Sequence, residues 1–390
     1  MTSQTDISLL ERQYDWAQLV QDHGSPLLIL DCDVLRKQYR QLSRALPDVD
    51  LYFAIKALPN VTVLKTLYRE GCNFDLATQG EIHLLESNFI SPQKTIHTHP
   101  IKRDVDIRAA LRFGCTTFVV DNEFELEKFV RYRERVGLLL RLSFVNPDAL
   151  INLSKKFGLA ADQALAFIQK ARDLGLHIKG LSFHVGSQCK QPDAHVNAIN
   201  ICAKLIEECR GKMGIPMRTL DIGGGFPTSY DGSGMGIDTF CEPIRAALGK
   251  LPENIRVIAE PGRFIAAPAM TCVASVIGKA VRDNKTWYYL DDGVYGSFSG
   301  QIFDHVRYPI FALKEGPASP CVLAGPTCDS IDVIAEDIQL PVLETGDLIV
   351  APMMGAYTSA TATEFNSLPR TNIIALNAEE SDESNVTRIA

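Results

Sequence analysis

The sequence lacks an excess of basic residues, and it lacks any long run of apolar ones. Its 390 residues carry 39 Lys and Arg against 47 Asp and Glu, which gives a formal net charge of −8. Because nucleic-acid backbones are held by concentrated positive charge, this balance argues against a nucleic-acid partner. No apolar stretch approaches the length needed to cross a bilayer, so we expect no membrane partner either.

Paired cysteine motifs and a leader sequence are also missing. The ten cysteines form no CxxC pair and no His/Cys spacing of a zinc site, so we expect no metal. The chain begins MTSQTDISLLERQYDW, which is polar and acidic, without the basic start and apolar core of a signal peptide. We therefore expect a cytoplasmic protein with reduced thiols. Its length allows two domains.

Short apolar runs recur along the first two thirds of the chain. Eight of them begin near Leu51, Asn73, Thr95, Thr117, Leu138, Gly180, Thr219 and Arg256. The first five recur about every 22 residues, which leaves room for one helix between neighbours. Strands that alternate with helices are typical of parallel βα units, and eight such units predict an α/β fold of the (β/α)8 barrel type. An open doubly wound sheet is the alternative.

After about residue 270 the chain consists of β-rich runs separated by Gly, Asp and Pro, with no long amphipathic helix among them. This pattern predicts a second, mainly antiparallel β domain. We place the barrel at residues 30–268, the β domain at residues 269–375 and a loose tail at residues 376–390. A strand that starts within residues 1–29, in the run PLLILD, could join either domain.

Residues with useful chemistry stand where the predicted barrel strands end, and in this fold the active site is built at those ends. In chain order they are Lys56, Asp75, His97, His99, Arg141, His184, Gly223 to Gly225 and Glu260. Together they supply a nucleophilic amine, a cradle for an anion, and charged partners.

Lys56 ends an apolar strand that must enter the barrel. A lysine drawn towards a low dielectric tends to lose its charge. A neutral amine can form a Schiff base with an aldehyde such as that of pyridoxal phosphate. A solvated surface charge is the alternative for this lysine considered alone.

Three further motifs suit the same cofactor. The glycines of DIGGGFP run into a loop instead of a helix, which favours a single phosphate over a dinucleotide. Glu260 in AEPGR would keep a pyridine nitrogen protonated, and Arg263 could serve the phosphate. In SFHVGSQ, His184 could stack on a ring and Ser187 could donate to the phosphate. Considered alone, each motif could instead be an ordinary turn, an ion pair or a satisfied core histidine.

The order of the motifs FAIK, FDLATQGE, SFHVGSQ, DIGGGFP, AEPGR, DDGVYGSF, CDSID and MGAYT closely resembles that of one enzyme family. This family comprises the ornithine/diaminopimelate/arginine decarboxylases, which are fold-type III pyridoxal phosphate enzymes. The resemblance runs from about residue 25 to 370, and it looks like the ornithine/lysine branch. It implies an alanine-racemase-like barrel with a β domain, working as a head-to-tail homodimer with shared active sites.

The resemblance also implies roles for single residues. Lys56 would hold pyridoxal 5'-phosphate, and Glu81 would lie close to it. The other cofactor-binding residues would be Asp75, Arg141, His184, Ser187, Gly223, Gly224, Gly225, Glu260, Arg263 and Tyr357. The residues that bind the substrate would be Asp304, Asp329, Tyr295 and Phe365. Cys328, reaching in with Asp329 from the partner subunit, would return a proton to the substrate Cα. Lys56, Cys328, His184 and Glu260 would form the catalytic set.

The activity that the resemblance implies is decarboxylation of L-ornithine, L-lysine or both, to putrescine or cadaverine and CO2. A diaminopimelate decarboxylase is expected to have Glu after the motif cysteine, so Asp329 argues against it. Arginine decarboxylases of the family are much longer chains. A racemase of related fold is expected to place an arginine opposite the ring nitrogen, so Glu260 argues against it. A non-catalytic relative is expected to have lost Lys56 or Cys328, and both are present.

Overall fold

The computed structural model describes residues 14–144 and 156–379. The described chain forms two compact units. One comprises Arg36–Thr228 and Gly234–Phe264, and the other comprises Ser229–Ser233 with the residues before Arg36 and after Phe264. The boundaries at residues 30, 268 and 375 stay a proposal for where domains begin and end. Residues 380–390 of the tail and residues 1–13 lie outside the described residues.

The larger unit is a closed barrel of eight parallel strands. The strands are β2 Val49–Ala54, β3 Asn73–Leu76, β4 Thr95–His97, β5 Thr117–Val120, β6 Gly137–Leu142, β7 Ile178–Phe183, β8 Thr219–Asp221 and β9 Arg256–Ala259. Each strand pairs with the next in chain order, and β9 closes on β2, with Leu51 opposite Ala259. The predicted barrel is confirmed.

Helices connect the barrel strands, and polar caps mark where several of them begin. They are α2 Cys32–Ala45, α3 Val61–Arg69, α4 Gln79–Glu86, α5 Asp104–Phe113, α6 Glu123–Phe129, α7 Ala164–Asp173, α8 Asp193–Met213 and α9 Ile237–Leu248. The Asn60 side chain accepts from the first amides of α3, and Gly114 ends α5 in the left-handed conformation. These side-chain and glycine caps satisfy backbone groups that the helices leave unpaired at their ends.

The barrel interior is filled by apolar side chains from several strands. One buried cluster consists of Tyr52, Ile96, Val119, Leu139 and Ile258. Strands β2, β6 and β7 are buried along almost their whole length, because helices cover the outer surface. The barrel is therefore a packed core, and the space for a ligand lies at the strand ends.

The second unit is built on an eight-stranded sheet. Its strands are β1 Leu27–Asp31, β10 Met270–Arg282, β11 Lys285–Leu290, β12 Phe311–Ala312, β13 Ser319–Ala324, β14 Val333–Leu340, β15 Leu348–Ala351 and β16 Asn372–Leu376. Five of its seven strand pairs are antiparallel, which confirms a mainly antiparallel domain. The remaining helices are short: α1 Trp16–His23, α10 Arg263–Ala266 and α11 Gly300–Asp304.

Strand β1 lies in the sheet of the second unit, although it comes first in the chain. It pairs antiparallel with β10 and parallel with β16. Its inward residues Leu27 and Ile29 pack with Trp16, Val273 and Val350 in one buried cluster. Within residues 14–144 and 156–379, no helix is both long and apolar enough to span a bilayer.

We predict that Gly180→Ala destabilises the barrel, because a Cβ on this residue of β7 would stand 2.0 Å from the Thr219 carbonyl oxygen of β8. Overpacking of this kind costs about 1–3 kcal/mol. The check is the urea midpoint for unfolding, with Gly211→Ala as the control. Gly211 lies in α8 with nothing within 4 Å of an added Cβ. Equal or higher midpoints for Gly180→Ala would contradict the packing described here.

Candidate active site

Lys56 lies in a short 3-10 turn, Ile55–Ala57, directly after barrel strand β2. Its Nζ donates to Asp75 Oδ2 over 2.9 Å, and Asp75 Oδ1 accepts from the hydroxyl of Thr98. The carboxylate of Asp75 is buried, whereas the lysine side chain keeps 45% of its surface exposed. The lysine is thus not enclosed at low dielectric as its strand suggested. It stands at the rim of the barrel, oriented by a buried carboxylate.

Glu81 belongs to the beginning of helix α4, where it completes a capping box with Thr78. Its Oε2 accepts from the backbone amides of Ala77, over 2.5 Å, and Thr78, over 3.2 Å. Burial raises the pKa of Glu81, and the charge of Asp75 raises it further, while Lys56 acts in the opposite direction. Glu81 therefore holds the chain in place after β3 and contributes to the charge around Lys56.

Glu260 follows β9 and forms a buried carboxyl pair with Asp221, the last residue of β8. Asp221 accepts from Gly223 N over 2.9 Å and from Ser182 Oγ over 3.1 Å. Burial raises the pKa of Glu260 well above its ordinary range, and the neighbouring Asp221 charge raises it further. Because Asp221 already has two donors, Glu260 is the member of the pair that keeps the proton.

His184 follows β7, and its ring accepts at Nδ1 from the backbone amide of Gly186 over 3.1 Å. The ring proton therefore sits on Nε2. Burial lowers the pKa of His184 well below its ordinary range, and the nearby charges of Arg141 and Lys56 lower it further. The imidazole is neutral at physiological pH, which suits a flat surface for stacking better than a charged partner.

The glycines of DIGGGFP form a tight loop between β8 and the neighbouring strand ends. Gly223 and Gly225 have positive φ values of 65° and 97°. A Cβ on Gly223 would lie 2.2 Å from the Phe183 carbonyl oxygen, and one on Gly224 would lie 2.7 Å from that of Glu260. No larger residue fits, so the backbone can approach a ligand closely here.

The amides of this loop are available to a ligand. Within the described part of the chain, the N–H groups of Gly224 and Gly225 donate to no protein acceptor, whereas Gly223 N is bound to Asp221. Two backbone N–H groups without acceptors at one end of a barrel form a site for an anion. A phosphate is the anion that such a loop fits best.

Positive charge lies at the same end of the barrel. Arg141 of β6 places its guanidinium 5.3 Å from the ring centre of Phe157. Ser187 is in the loop after His184, and Arg263 is a buried residue at the start of α10. The fold thus brings Lys56, Asp75, Arg141, His184, Ser187, Gly223, Gly224, Gly225, Glu260 and Arg263 to the carboxyl ends of the barrel strands or the loops that follow them.

A second group of predicted residues comes together within the β unit. The Tyr295 hydroxyl donates to Asp329 Oδ2 over 2.5 Å, and its ring stacks on Phe365 with centroids 4.5 Å apart. The hydrogen bond from Tyr295 lowers the pKa of Asp329. Cys328 adjoins this group, with an exposed thiol and its backbone amide bound to the side chain of Asn366.

Two further predicted residues belong to the β unit. Asp304 is buried at the end of α11. Tyr357 adopts a left-handed backbone conformation with φ 57°, and its carbonyl accepts from Thr361 Oγ1 over 2.9 Å. A tyrosine held in this conformation is unusual, and strained residues of this kind cluster at functional sites.

Three polar residues of the barrel escaped the sequence interpretation. Asp221 raises the pKa of Glu260, Ser182 donates to Asp221, and Thr98 binds the carboxylate that orients Lys56. Asp221 stood inside a motif already singled out, at a strand end, so its position was the available signal. Ser182 also stood inside a motif, SFHVGSQ, but within the strand instead of at its end. Thr98 carries no such signal, because only the barrel brings it next to Asp75.

Comparison with known proteins identifies what this chain is similar to. Residues 32–267 match the family model described as pyridoxal-dependent decarboxylase, pyridoxal binding domain. A lysine/ornithine decarboxylase of Selenomonas ruminantium is 35% identical over 344 residues, covering 88% of this chain and 87% of that protein.

Two solved structures of a lysine/ornithine decarboxylase from Vibrio vulnificus are also similar. Both are 54% identical and cover 97% of this chain and 100% of theirs. The TM-score is 0.89 for the complex with putrescine and 0.90 for the complex with cadaverine. An arginine decarboxylase of Paramecium bursaria Chlorella virus is 29% identical with a TM-score of 0.87, and the match covers 92% of this chain and 99% of that one. The expectation that arginine decarboxylases of the family are much longer chains is therefore wrong, and length does not argue against this substrate.

We predict that Glu260→Gln stabilises the cofactor-free protein as the pH rises. With a raised pKa, folded Glu260 keeps its proton while the unfolded chain ionises above about pH 4.5. Folding stability is therefore lost as the pH rises from that value towards the folded pKa, and glutamine removes this loss. The measurement is the melting temperature at several pH values, with exposed Glu253→Gln as the control. A difference that does not grow with pH would contradict the assignment.

Proposed function

The chain belongs to the family of pyridoxal-dependent decarboxylases, and we propose that it removes the α-carboxylate of L-ornithine or L-lysine as CO2. The products would be putrescine or cadaverine. One observation carries the proposal: Lys56, Glu260 and the glycine loop stand together at the carboxyl ends of the barrel strands. An amine, a proton-bearing carboxyl and an anion cradle are what this reaction needs from a protein.

The residues at the barrel end fit pyridoxal phosphate. The amides of Gly224 and Gly225 have no acceptor in the described chain and suit its phosphate. Ser187, Arg263 and Tyr357 would add hydrogen-bond donors to this phosphate site, and Arg141 would bring positive charge to the cofactor. The Lys56 amine suits its aldehyde, and the half-exposed position leaves the amine accessible.

The bound cofactor supplies an electron-poor ring that accepts the electron pair left on the substrate Cα when the bond to the carboxylate breaks. Glu260 would serve this step by giving the proton that it carries in the empty site to the ring nitrogen and facing it as a carboxylate. The neutral imidazole of His184 would stack on the ring, and Asp75 orients the Lys56 amine. These four side chains do the chemistry that the barrel contributes.

The group in the β unit would bind the far end of the substrate and return the proton. Asp329, with its pKa lowered by Tyr295, stays ionised and suits an ammonium, and Asp304 is the second carboxylate for it. Phe365 and Tyr295 would pack against the methylene chain. The Cys328 thiol would give its proton to Cα, so that a C–H bond replaces the bond to CO2.

We propose that Cys328 and Asp329 complete the site of a partner subunit, in a homodimer with two shared active sites. The exposed thiol of Cys328 supports this role, because the other nine cysteines are buried. A thiol that must stay reduced to carry a proton also supports a cytoplasmic location.

Ornithine and lysine differ by one methylene, which is worth about 1–3 kcal/mol in a pocket. The Vibrio vulnificus enzyme has been seen with the diamine that each substrate would give, which supports use of both. A diaminopimelate site needs a partner for a second carboxylate, and Asp329 would repel it. Glu260 favours decarboxylation over racemisation, because a protonated ring is the stronger electron acceptor.

We predict that the protein releases CO2 from both L-ornithine and L-lysine, with kcat/KM values within about 200-fold of each other. Release from meso-diaminopimelate and L-arginine should be much slower. The measurement is kcat/KM for the four amino acids side by side, with L-ornithine racemisation followed in the same samples. Preference for diaminopimelate, or racemisation without CO2, would refute the proposed function.

A mixing experiment tests the shared site. We predict that Lys56→Ala and Cys328→Ala proteins are each nearly inactive alone, and that mixed dimers recover up to about a quarter of wild-type activity. In a mixed dimer one site would have both residues intact. The control replaces the Cys328→Ala protein with the Lys56→Ala/Cys328→Ala double variant, in which no site is whole. No recovery above that control would refute sharing.

A further inference from the structure

His195 of helix α8 is completely buried, and it contacts the glycine loop through a hydrogen bond. Its Nε2 lies 3.0 Å from the carbonyl oxygen of Gly224. Its other ring nitrogen, Nδ1, has no hydrogen-bond partner among the described residues. A buried polar ring with one bond is costly to keep, so the bond that it makes calls for an explanation.

The protonation of the ring follows from this environment. Burial lowers the pKa of His195 to about 4, so the ring is neutral at physiological pH and carries a single N–H. A carbonyl oxygen can only accept, so the proton is on Nε2 and is donated to Gly224. His195 is therefore a fixed hydrogen-bond donor and takes no part in proton transfer.

Aromatic rings hold the imidazole in place. Its ring stacks on Phe226, with centroids 5.5 Å apart and planes at 27°. Phe240 and Phe183 meet it edge-on, at 5.8 and 6.4 Å. The donor therefore has a single direction, and it cannot turn away from the loop without disturbing three neighbouring side chains.

The bond to Gly224 sets the direction of the next amide. The carbonyl of Gly224 and the N–H of Gly225 belong to one peptide unit, and in a trans peptide they point in opposite directions. When His195 holds the carbonyl on the side of helix α8, the Gly225 N–H points away from that helix. This N–H is one of the two that have no acceptor in the described chain.

The loop carbonyls on either side are held by backbone donors. Gly223 O accepts from Glu260 N over 2.8 Å, and Gly225 O accepts from Cys189 N over 3.0 Å. Among these three bonds, the one from His195 is the only one that a side chain makes. A point substitution can therefore remove it and leave the other two in place.

We propose that His195 is a positioning residue for the cofactor phosphate, aiming the Gly225 N–H by holding the Gly224 carbonyl. This role rests on the proposed function, because it concerns the same phosphate site. His195 would act only through the glycine loop, because its ring is completely buried and its N–H is donated to Gly224. Its effect is specific to the phosphate, since the aldehyde and the ring nitrogen are served by Lys56 and Glu260.

The test compares two variants and two ligands. His195→Phe keeps a flat ring of similar size but removes the donor, whereas His195→Gln keeps an N–H donor at about the position of Nε2. Cys202→Ala is the control for a substitution on the buried face of helix α8, because Cys202 is completely buried in that helix. Each cofactor-free protein is titrated with pyridoxal phosphate and with pyridoxal, which lacks the phosphate, and binding is followed by absorbance.

We expect His195→Phe to bind pyridoxal phosphate about tenfold more weakly than wild type, with unchanged affinity for pyridoxal. His195→Gln should recover most of the lost affinity, and Cys202→Ala should bind both ligands like wild type. The phosphorus resonance of the bound cofactor should shift in His195→Phe and return towards the wild-type position in His195→Gln.

Two results would overturn the role of His195 alone. One is an unchanged ratio of the two affinities in His195→Phe, whether both affinities stay the same or both fall equally. The other is no rescue by His195→Gln. A wild-type protein that binds both ligands equally would instead overturn the phosphate site and with it the proposed function.

Discussion

Closure of the eight-stranded barrel is the constraint on which the site depends. Because all eight strands are parallel and β9 pairs with β2, their carboxyl ends meet in one ring. Residues far apart in the chain become neighbours there: Lys56 binds Asp75, and Gly223 binds the amide of Glu260. The barrel interior next to these strand ends is apolar, so polar residues concentrate at the rim.

The ionisable groups at this rim avoid the cost of burying an unpaired charge in different ways. Asp75 is buried but has a lysine and a hydroxyl as partners. Glu260 has another carboxyl beside it, so it keeps a proton. His184 and His195 are held neutral by burial. The strand ends thus present the accessible amine of Lys56, the protonated carboxyl of Glu260 and the neutral imidazole of His184, and His195 acts on the site only through the glycine loop. Each group has a different role, and its surroundings determine its protonation state.

The strand pattern made much of this predictable. The runs that begin near Leu51 and Arg256 became the first and last barrel strands, since short apolar segments spaced by a helix length are a strong signal. The position of Lys56 after a strand then followed. The half-exposed state of Lys56 could not be predicted from the strand pattern, because a residue at a strand end can point into the core or lie at the rim. His195 could not be assigned either, since its link to Gly224 joins a helix to a loop 29 residues away.

The central claim is that the amine of Lys56 holds the cofactor, and peptide mapping after borohydride reduction tests it most directly. Reduction fixes an imine as a stable amine, so the attachment survives digestion. The account predicts the mass of the reduced cofactor on the peptide that contains Lys56, and on no other peptide. Attachment to a different lysine, or a protein that carries no cofactor after reduction, would contradict it.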